Sequence, residues 1–427
     1  MDLKTLKEIL MDQKEMVEKN MADPGIIERE VTSYWKEFTD IDQVKVAMGP
    51  RRAGKTVFSN LLYRNLNYGY VNFDDERLSY INSRDLNDVL EVLYEIHGEL
   101  EYLILDEIQN VAGWELFVNR IKMTGLKIII TGSNANLLSR ELATHLTGRH
   151  ITMEIFPFSF KEYLQFKNIE KDFSTTKKRA FIKKALEEYI EVGGYPEIVK
   201  NPKIRDVYTN SLYSSILNKD IVARHRIKYV QTLKEMSYSM ISNFATLISY
   251  NKIKRTQNMG SSHTAKNYMG YLAESYLVVK LDKFSHKERD IHNSPKKIYA
   301  IDPAMINVIG RQSSRNRGRM MENIVMLELL RRRSLDPQIE HFYWRDNQQR
   351  EIDFVLKKGI DIMELIQVSF SIEDPRVKRR ELRSLSRSSD DLNCNDLKII
   401  TWNESGKEKI DGKEVEVLPL YQWLLQE

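Results

Sequence analysis

Between an alternating apolar stretch, "QVKVAMG", and an amphipathic one, "KTVFSNLLYRNL", the chain places GPRRAGKT, Gly49 to Thr56. Val44, Val46 and Met48 alternate as one face of a short strand, while Val57, Leu61, Leu62 and Tyr63 mark the inward side of a helix. Two glycines around a four-residue gap, followed by Lys55 and Thr56, let the backbone fold about an anion and aim the first amides of the helix at it. An ordinary turn before a helix would need neither the lysine nor the hydroxyl. The junction therefore predicts a phosphate cradle, formed by Gly49, Pro50, Arg51, Arg52, Ala53, Gly54, Lys55, Thr56 and Val57. Lys55 would neutralise β- and γ-phosphates, and the Thr56 hydroxyl would ligate Mg2+. ATP and Mg2+ are the expected cofactors, since the Asn-Lys-x-Asp base-reading pattern of GTP-selective proteins is not found.

"EYLILDEIQ", Glu101 to Gln109, is a continuous apolar run ending in adjacent carboxylates, as a buried parallel strand with its polar tip at the site should be. Asp106 would hold the magnesium shell, and Glu107 would polarise an attacking water, which favours hydrolysis over phosphoryl transfer to a small substrate. The competing reading is two acids facing solvent at a strand end. A third strand, "LKIIITGSN", ends in small polar residues, and "LLSRELATHLTGRH" follows as a helix closed by Gly148. This order resembles the AAA+ class. The resemblance implies that Ser133 or Asn134 senses the γ-phosphate and that Arg149 reaches a neighbouring subunit's nucleotide, which makes a homo-oligomer a candidate assembly. Arg149 equally suits a plain helix C-terminal cation favoured by the dipole.

At 427 residues the chain is long for one core, and a prior of roughly 150 residues per domain suggests about three domains. The expected organisation is an N-terminal helical segment (1–40), a P-loop ATPase core (41–170), a helical lid (171–228), a winged-helix-like module (229–305) and a nuclease-like α/β domain (306–427). With 65 basic and 61 acidic residues the net charge is only +4, so any polyanion site must be local. Two basic stretches qualify, Arg311 to Arg319 and Pro375 to Arg387, although such runs are most often solvated faces or linkers. One cysteine, Cys394, excludes an internal disulfide framework. No apolar run approaches the roughly 20 residues of a membrane span. The charged N-terminus does not read as a secretory signal, so a cytoplasmic protein without a membrane partner is expected.

In the second half, "MISNFATLISYNKIKRTQNMGSSHTAKNYMGYLAESYLVVKLDKF" reads as helix, short helix, turn, capped helix and strand. A helix-turn-helix with a wing would put Ser262, His263, Lys266 and Asn267 at the exposed start of a recognition helix, available to DNA. Winged helices also serve as packing or protein-contact modules. "MENIVMLELLRR", "REIDFVLKKG" and "MELIQVSF" have the spacing of a PD-(D/E)XK nuclease-like core, with Glu322 and Asp353 as carboxylates. Where such nucleases carry Glu-x-Lys on the next strand, this chain has Gln367 and Ser369. An amide is a poor Mg2+ ligand and a hydroxyl cannot replace an ammonium. A vestigial site is expected, with a substituted nuclease or another fold as alternatives and Lys357 or Lys358 as the nearby cations.

GPRRAGKT, LDEIQ, "ITGSNANLLSRELATHLTGR", "PFSFKEYL" and "GGYPEIV", in that order, resemble prokaryotic, mainly archaeal, AAA-type ATPases whose C-terminal half is a domain of unassigned function, DUF4143. The resemblance spans nearly the whole chain and implies ATP binding while leaving the cellular role open. The leading expectation is a DNA-associated, Mg-dependent ATPase that uses ATP to switch or move its C-terminal half. The alternatives are a signalling switch whose C-terminal half binds protein, and an ATP-controlled nuclease.

Overall fold

The computed structural model describes residues 1–133, 146, 148–311 and 316–426. Asn134 and most of the stretch read as a helix after it lie outside the described residues. The chain divides into two compact units, Met1–Phe158 and Ser159–Glu427.

In the first unit, strands β1 (Val44–Met48), β2 (Tyr68–Asn72), β3 (Tyr102–Asp106), β4 (Lys127–Gly132) and β5 (His150–Glu154) form a sheet in the order β2-β3-β4-β1-β5. Every neighbouring pair is parallel. Strands buried on both faces need apolar residues at both alternations, and two separate cores result. Val44, Val46, Leu103, Leu105, Ile128 and Ile130 pack on one face, with residues of the helices Leu3–Met21, Leu86–His97 and Trp114–Lys122. Ala47, Ile104 and Ile129 face the other way, toward Trp35, Phe58 and Leu62 of the helices Glu30–Lys36 and Lys55–Leu62. The N-terminal helix is tied to the sheet by Gln13, whose amide donates to Asn72 O at 3.1 Å and accepts from Asn72 N at 2.9 Å.

The second unit opens with the helices Phe160–Phe166, Thr176–Val192, Pro196–Lys200 and Arg205–Ser215. The sequence around Tyr208 to Ile227 suggests a helical pair. The structure instead continues the helix Arg205–Ser215 into a π-helical stretch, Ile216–Ala223, whose wider turn brings Ile216 and Ile221, five apart, into the same buried face. The GGYPE turn has a distant cause in Asp302. Its carboxylate accepts from Gly194 N at 2.7 Å and Ala304 N at 2.8 Å. Gly193, at φ +80°, leaves no room for a Cβ against that same carboxylate.

The rest of the second unit is built on a nine-stranded sheet. It contains β6 (Thr246–Ile248), β7 (Val278–Lys283), β8 (Lys296–Ala300), β9 (Ile339–Arg345), β10 (Glu351–Lys358), β11 (Asp361–Val368), β12 (Leu397–Thr401), β13 (Gly406–Ile410) and β14 (Lys413–Pro419). The order is β13-β14-β12-β11-β10-β9-β7-β8-β6. Strands β6, β7 and β8 are antiparallel, as are β9, β10 and β11, whereas β11-β12 and β12-β14 are parallel. Between these parts β7 meets β9 over two residue pairs, Asp282 with Phe342 and Lys283 with Tyr343. Among the described residues, no helix is long and apolar enough to cross a membrane.

Candidate functional site

The tips of β1, β3 and β4 converge on the segment between β1 and the helix Lys55–Leu62. Gly49 sits at φ +148°, and a Cβ there would overlap the carbonyl oxygen of Ile155, so only glycine lets the chain leave β1 this close to the segment after β5. Arg52 and Gly54 also take positive φ, 67° and 95°, which wraps the loop over the helix N-terminus. Lys55 is 6% exposed, and its Nζ donates to Gly49 O at 3.1 Å and Pro50 O at 3.0 Å. An ammonium seated on loop carbonyls at a helix N-terminus, where amides and dipole already favour an anion, makes a receptor for phosphate.

Asp106, 3% exposed at the tip of β3, is held by three hydroxyls. Thr56 Oγ1 donates to its Oδ2 at 2.8 Å, Tyr70 OH donates to the same oxygen at 2.9 Å, and Thr131 Oγ1 donates to Oδ1. Thr131 also accepts from Glu107 N at 3.1 Å, so one hydroxyl fixes both members of the acidic pair. Glu107 lies at φ +53°, a left-handed conformation rare for a glutamate, and its carboxylate accepts from the Gln109 amide. Burial pushes the Glu107 carboxyl above its ordinary value, against the opposing charge of Lys55. The Tyr70 hydroxyl is raised by burial and by Asp106, so it stays a donor. Thr56 and Asp106 supply paired oxygens, the ligand type that Mg2+ takes, and the residues fit that ion.

Sequence reasoning missed Tyr70, Thr131 and Arg29. Thr131 had a signal, being the hydroxyl residue in an otherwise apolar strand, with Leu105 and Ile130 in register just before it. Arg29, 8% exposed, donates to Ala53 O at 3.1 Å and Phe156 O at 2.6 Å, bracing the loop from a helix N-terminus 24 residues upstream. Of the residues proposed as sensors, Ser133 is buried just beyond β4 and Asn134 lies outside the described residues. Arg149 is exposed and donates to Asn119 Oδ1 at 2.8 Å, on the helix Trp114–Lys122 of its own unit.

In the second unit, Ser262, His263, Lys266 and Asn267 are all exposed on the helix Ser262–Glu274, which turns Ala265, Tyr268, Met269 and Leu272 inward. The Ser261 hydroxyl caps that helix, accepting from Thr264 N at 3.1 Å. Asp353 and Gln367 meet side by side, with Gln367 Oε1 accepting from Asp353 N at 3.3 Å and its amide donating to Glu381 Oε2 at 2.8 Å. Glu322 joins Asp353 through a cation the sequence reading did not name. Lys357 and Lys358 pair instead with Glu340 and Asp336, at 2.7 and 2.6 Å, and the cluster's cation is Lys297, 56 residues before Asp353. The helix Pro375–Leu392 exposes Arg376, Arg379, Arg380, Arg383 and Arg387 along one face, at helical spacing.

The cradle, its acidic strand tip and the parallel sheet define a P-loop ATPase fold of the AAA type, and residues 42–164 match the AAA domain family. Residues 183–316 and 317–423 match two families described as domains of unknown function, DUF8612 and DUF4143. The chain belongs to the AAA-type ATPases with a C-terminal DUF4143 domain. An uncharacterised protein of Methanocaldococcus jannaschii, MJ1544, is 37% identical over 404 residues, 90% of this chain and 88% of that one. An uncharacterised protein of Haemophilus influenzae is 31% identical over 91% of this chain and 96% of its own length. Among solved structures, the Walker-type ATPase PABY2304 of Pyrococcus abyssi is similar at a TM-score of 0.44 and 16% identity, over 66% of this chain and 96% of that one.

Proposed function

We propose that the first unit binds ATP with Mg2+ and hydrolyses it, and that the second unit, switched or moved by that cycle, works on DNA. The observation that carries the catalytic half is the 2.8 Å bond between Thr56 Oγ1 and Asp106 Oδ2 beside the lysine of the phosphate loop. Those two oxygens would hold Mg2+, which when bound supplies charge neutralisation on the β- and γ-phosphates. Lys55 exchanges its bonds to loop carbonyls for bonds to phosphate oxygens. Glu107, its basicity raised by burial, accepts a proton as the water oxygen bonds to the γ-phosphorus and the bond to the β–γ bridging oxygen breaks. Tyr70 and Thr131 keep Asp106 aimed.

The DNA half rests on two features. From the helix Val230–Ser242 to β8 the order is helix, strand, helix, helix, strand, short helix (Glu288–Asn293), strand, a winged-helix-like order with one helix inserted between the two wing strands, and the exposed start of the helix Ser262–Glu274 carries Lys266 and Asn267. The five-arginine face of Pro375–Leu392 adds a row of cations suited to phosphates. The helix Arg317–Leu335, the antiparallel β9 to β11, the helix Pro375–Leu392 and β12 follow the order of a nuclease-like core. With Gln367 and Ser369 in place of Glu and Lys, that core binds without cutting.

The test is the ATPase rate with and without single-stranded, duplex and branched DNA, together with DNA retention as salt is raised. Stimulation and a steep loss of retention with salt are expected. An indifferent rate with no salt-dependent retention would leave the protein-binding switch. Arg149 is proposed to act on a neighbouring subunit. Arg149→Ala should bind ATP and hydrolyse it poorly, and mixing with Lys55→Ala should restore activity, because the hybrid interface pairs an intact arginine with an intact loop. No recovery in proven co-assemblies would make Arg149 structural.

A further inference from the structure

Glu322, Glu351 and Asp353 converge on a single buried atom, Lys297 Nζ, at 2.7, 2.8 and 2.7 Å. We propose that Lys297 is the resident cation of this cluster, its ammonium holding the position that a divalent metal would take among the carboxylates, so that the folded domain excludes metal there. The inference uses only the lysine and the acids, and it stands whether or not the DNA reading does.

All three carboxylates lie within ion-pair distance of the ammonium, which has donors only and no acceptor, and Asp353 Oδ1 accepts a hydrogen bond from it at 2.7 Å. The distances are those of charge-assisted hydrogen bonds, about 2.7–2.9 Å, well beyond the roughly 2.0–2.1 Å of Mg–O bonds. Asp353 Oδ2 is engaged as well, accepting from Val368 N at 2.9 Å, and Glu322 Oε1, the oxygen that faces Lys297, also accepts from Tyr299 OH at 2.7 Å. Arg345 lies 3.9 Å from Glu351. Among the described residues, no group of three or more His, Cys, Asp or Glu is arranged to hold a metal ion.

Lys297 is 3% exposed, and burial opposes its charge, yet Asp353, Glu322 and Glu351 outweigh that and hold the ammonium well above its ordinary value. A lysine this committed cannot leave for an incoming ion without stranding a buried cation. The cluster also joins three elements: β8, the helix Arg317–Leu335 and β10. Asn323 repeats the connection one residue along, accepting from Ala300 N at 2.9 Å and donating to Ala300 O at 3.0 Å. A cation carried in the sequence fastens the β6-β7-β8 part of the sheet to the β9-to-β14 part without depending on metal supply.

The test uses Mn2+ as probe on the full chain without nucleotide, read by thermal unfolding. The parent should show no Mn2+-induced rise in midpoint that Asp353→Asn removes; any rise common to both belongs to the P-loop. Lys297→Ala should lose roughly 10 °C of midpoint and regain several degrees with Mn2+, and the added Asp353→Asn should abolish the gain. If Lys297→Ala does not fold, Lys297→Arg keeps the charge, and it should fold and still ignore Mn2+. A Mn2+ site in the parent or in Lys297→Arg that depends on Asp353, or a Lys297→Ala protein as stable as the parent, would overturn the proposal.

Discussion

Lys55 and Lys297 are both buried, Lys55 next in sequence to the threonine that bonds the strand-borne Asp106 and Lys297 bonded directly to the strand-borne Asp353. Lys55 donates to the carbonyls of Gly49 and Pro50, while Lys297 donates to Asp353 and forms ion pairs with Glu322 and Glu351. A carbonyl is readily exchanged for a phosphate oxygen because the trade gains charge pairing. A carboxylate surrendered in a dry interior leaves an uncompensated ion. One pair of residue types thus makes a receptor in the first unit and a lock in the second.

The contrast is most exposed to test at the acids. Glu107→Gln should keep ATP bound while lowering turnover by about a thousandfold, since an amide can hold a water but not take its proton. Glu322→Gln should leave turnover at the parent rate. Hydrolysis by Glu107→Gln at the parent rate would remove Glu107 as base.

Next come the lysines themselves. Lys55→Ala should weaken ATP binding by about a hundredfold, for the loss of two charge-assisted bonds, with little change in melting temperature. Unchanged nucleotide affinity in a titration would end the comparison at its first term.

The smallest effect sharpens the second term. Burial, and then Asp353, push the Glu322 carboxyl up to about 7 against the pull of Lys297 and Tyr299. An acid whose folded value is raised holds a proton that the unfolded chain has already released, so its contribution is full at low pH and lost as pH rises through about 7. Between about pH 5 and 8, the stability of the parent relative to Glu322→Gln should therefore fall, by on the order of 2–3 kcal/mol. Chemical denaturation across that range measures it, and a flat or rising difference would mean that Glu322 is ionised throughout.

What the sequence disclosed follows from distance along the chain. GPRRAGKT is contiguous, so glycine placement, lysine and hydroxyl could be read together, and LDEIQ carries its burial and its charge in one run. Thr131, Tyr70 and Arg29 reach Asp106 or the loop through strand register and a neighbouring helix, contacts that no single window of sequence contains. Lys297 was hidden for the same reason: its stretch, "SPKKIYAID", reads as a strand, and only the fold brings Asp353, 56 residues on, to its ammonium. The glycine pair of GGYPE could be seen, but its reason, Asp302, lies 108 residues on.

The narrow pairing of β7 with β9 carries a consequence of its own. A sheet continuous in its hydrogen-bond ladder need not be one cooperative unit, and two residue pairs are a thin bond between three strands on one side and six on the other. With the Lys297 cluster broken by Lys297→Ala, amides of β6 to β8 and of β9 to β14 should then exchange with solvent as two families with separate opening free energies. The line between them falls where the matches to DUF8612 and DUF4143 meet, at residues 316 and 317.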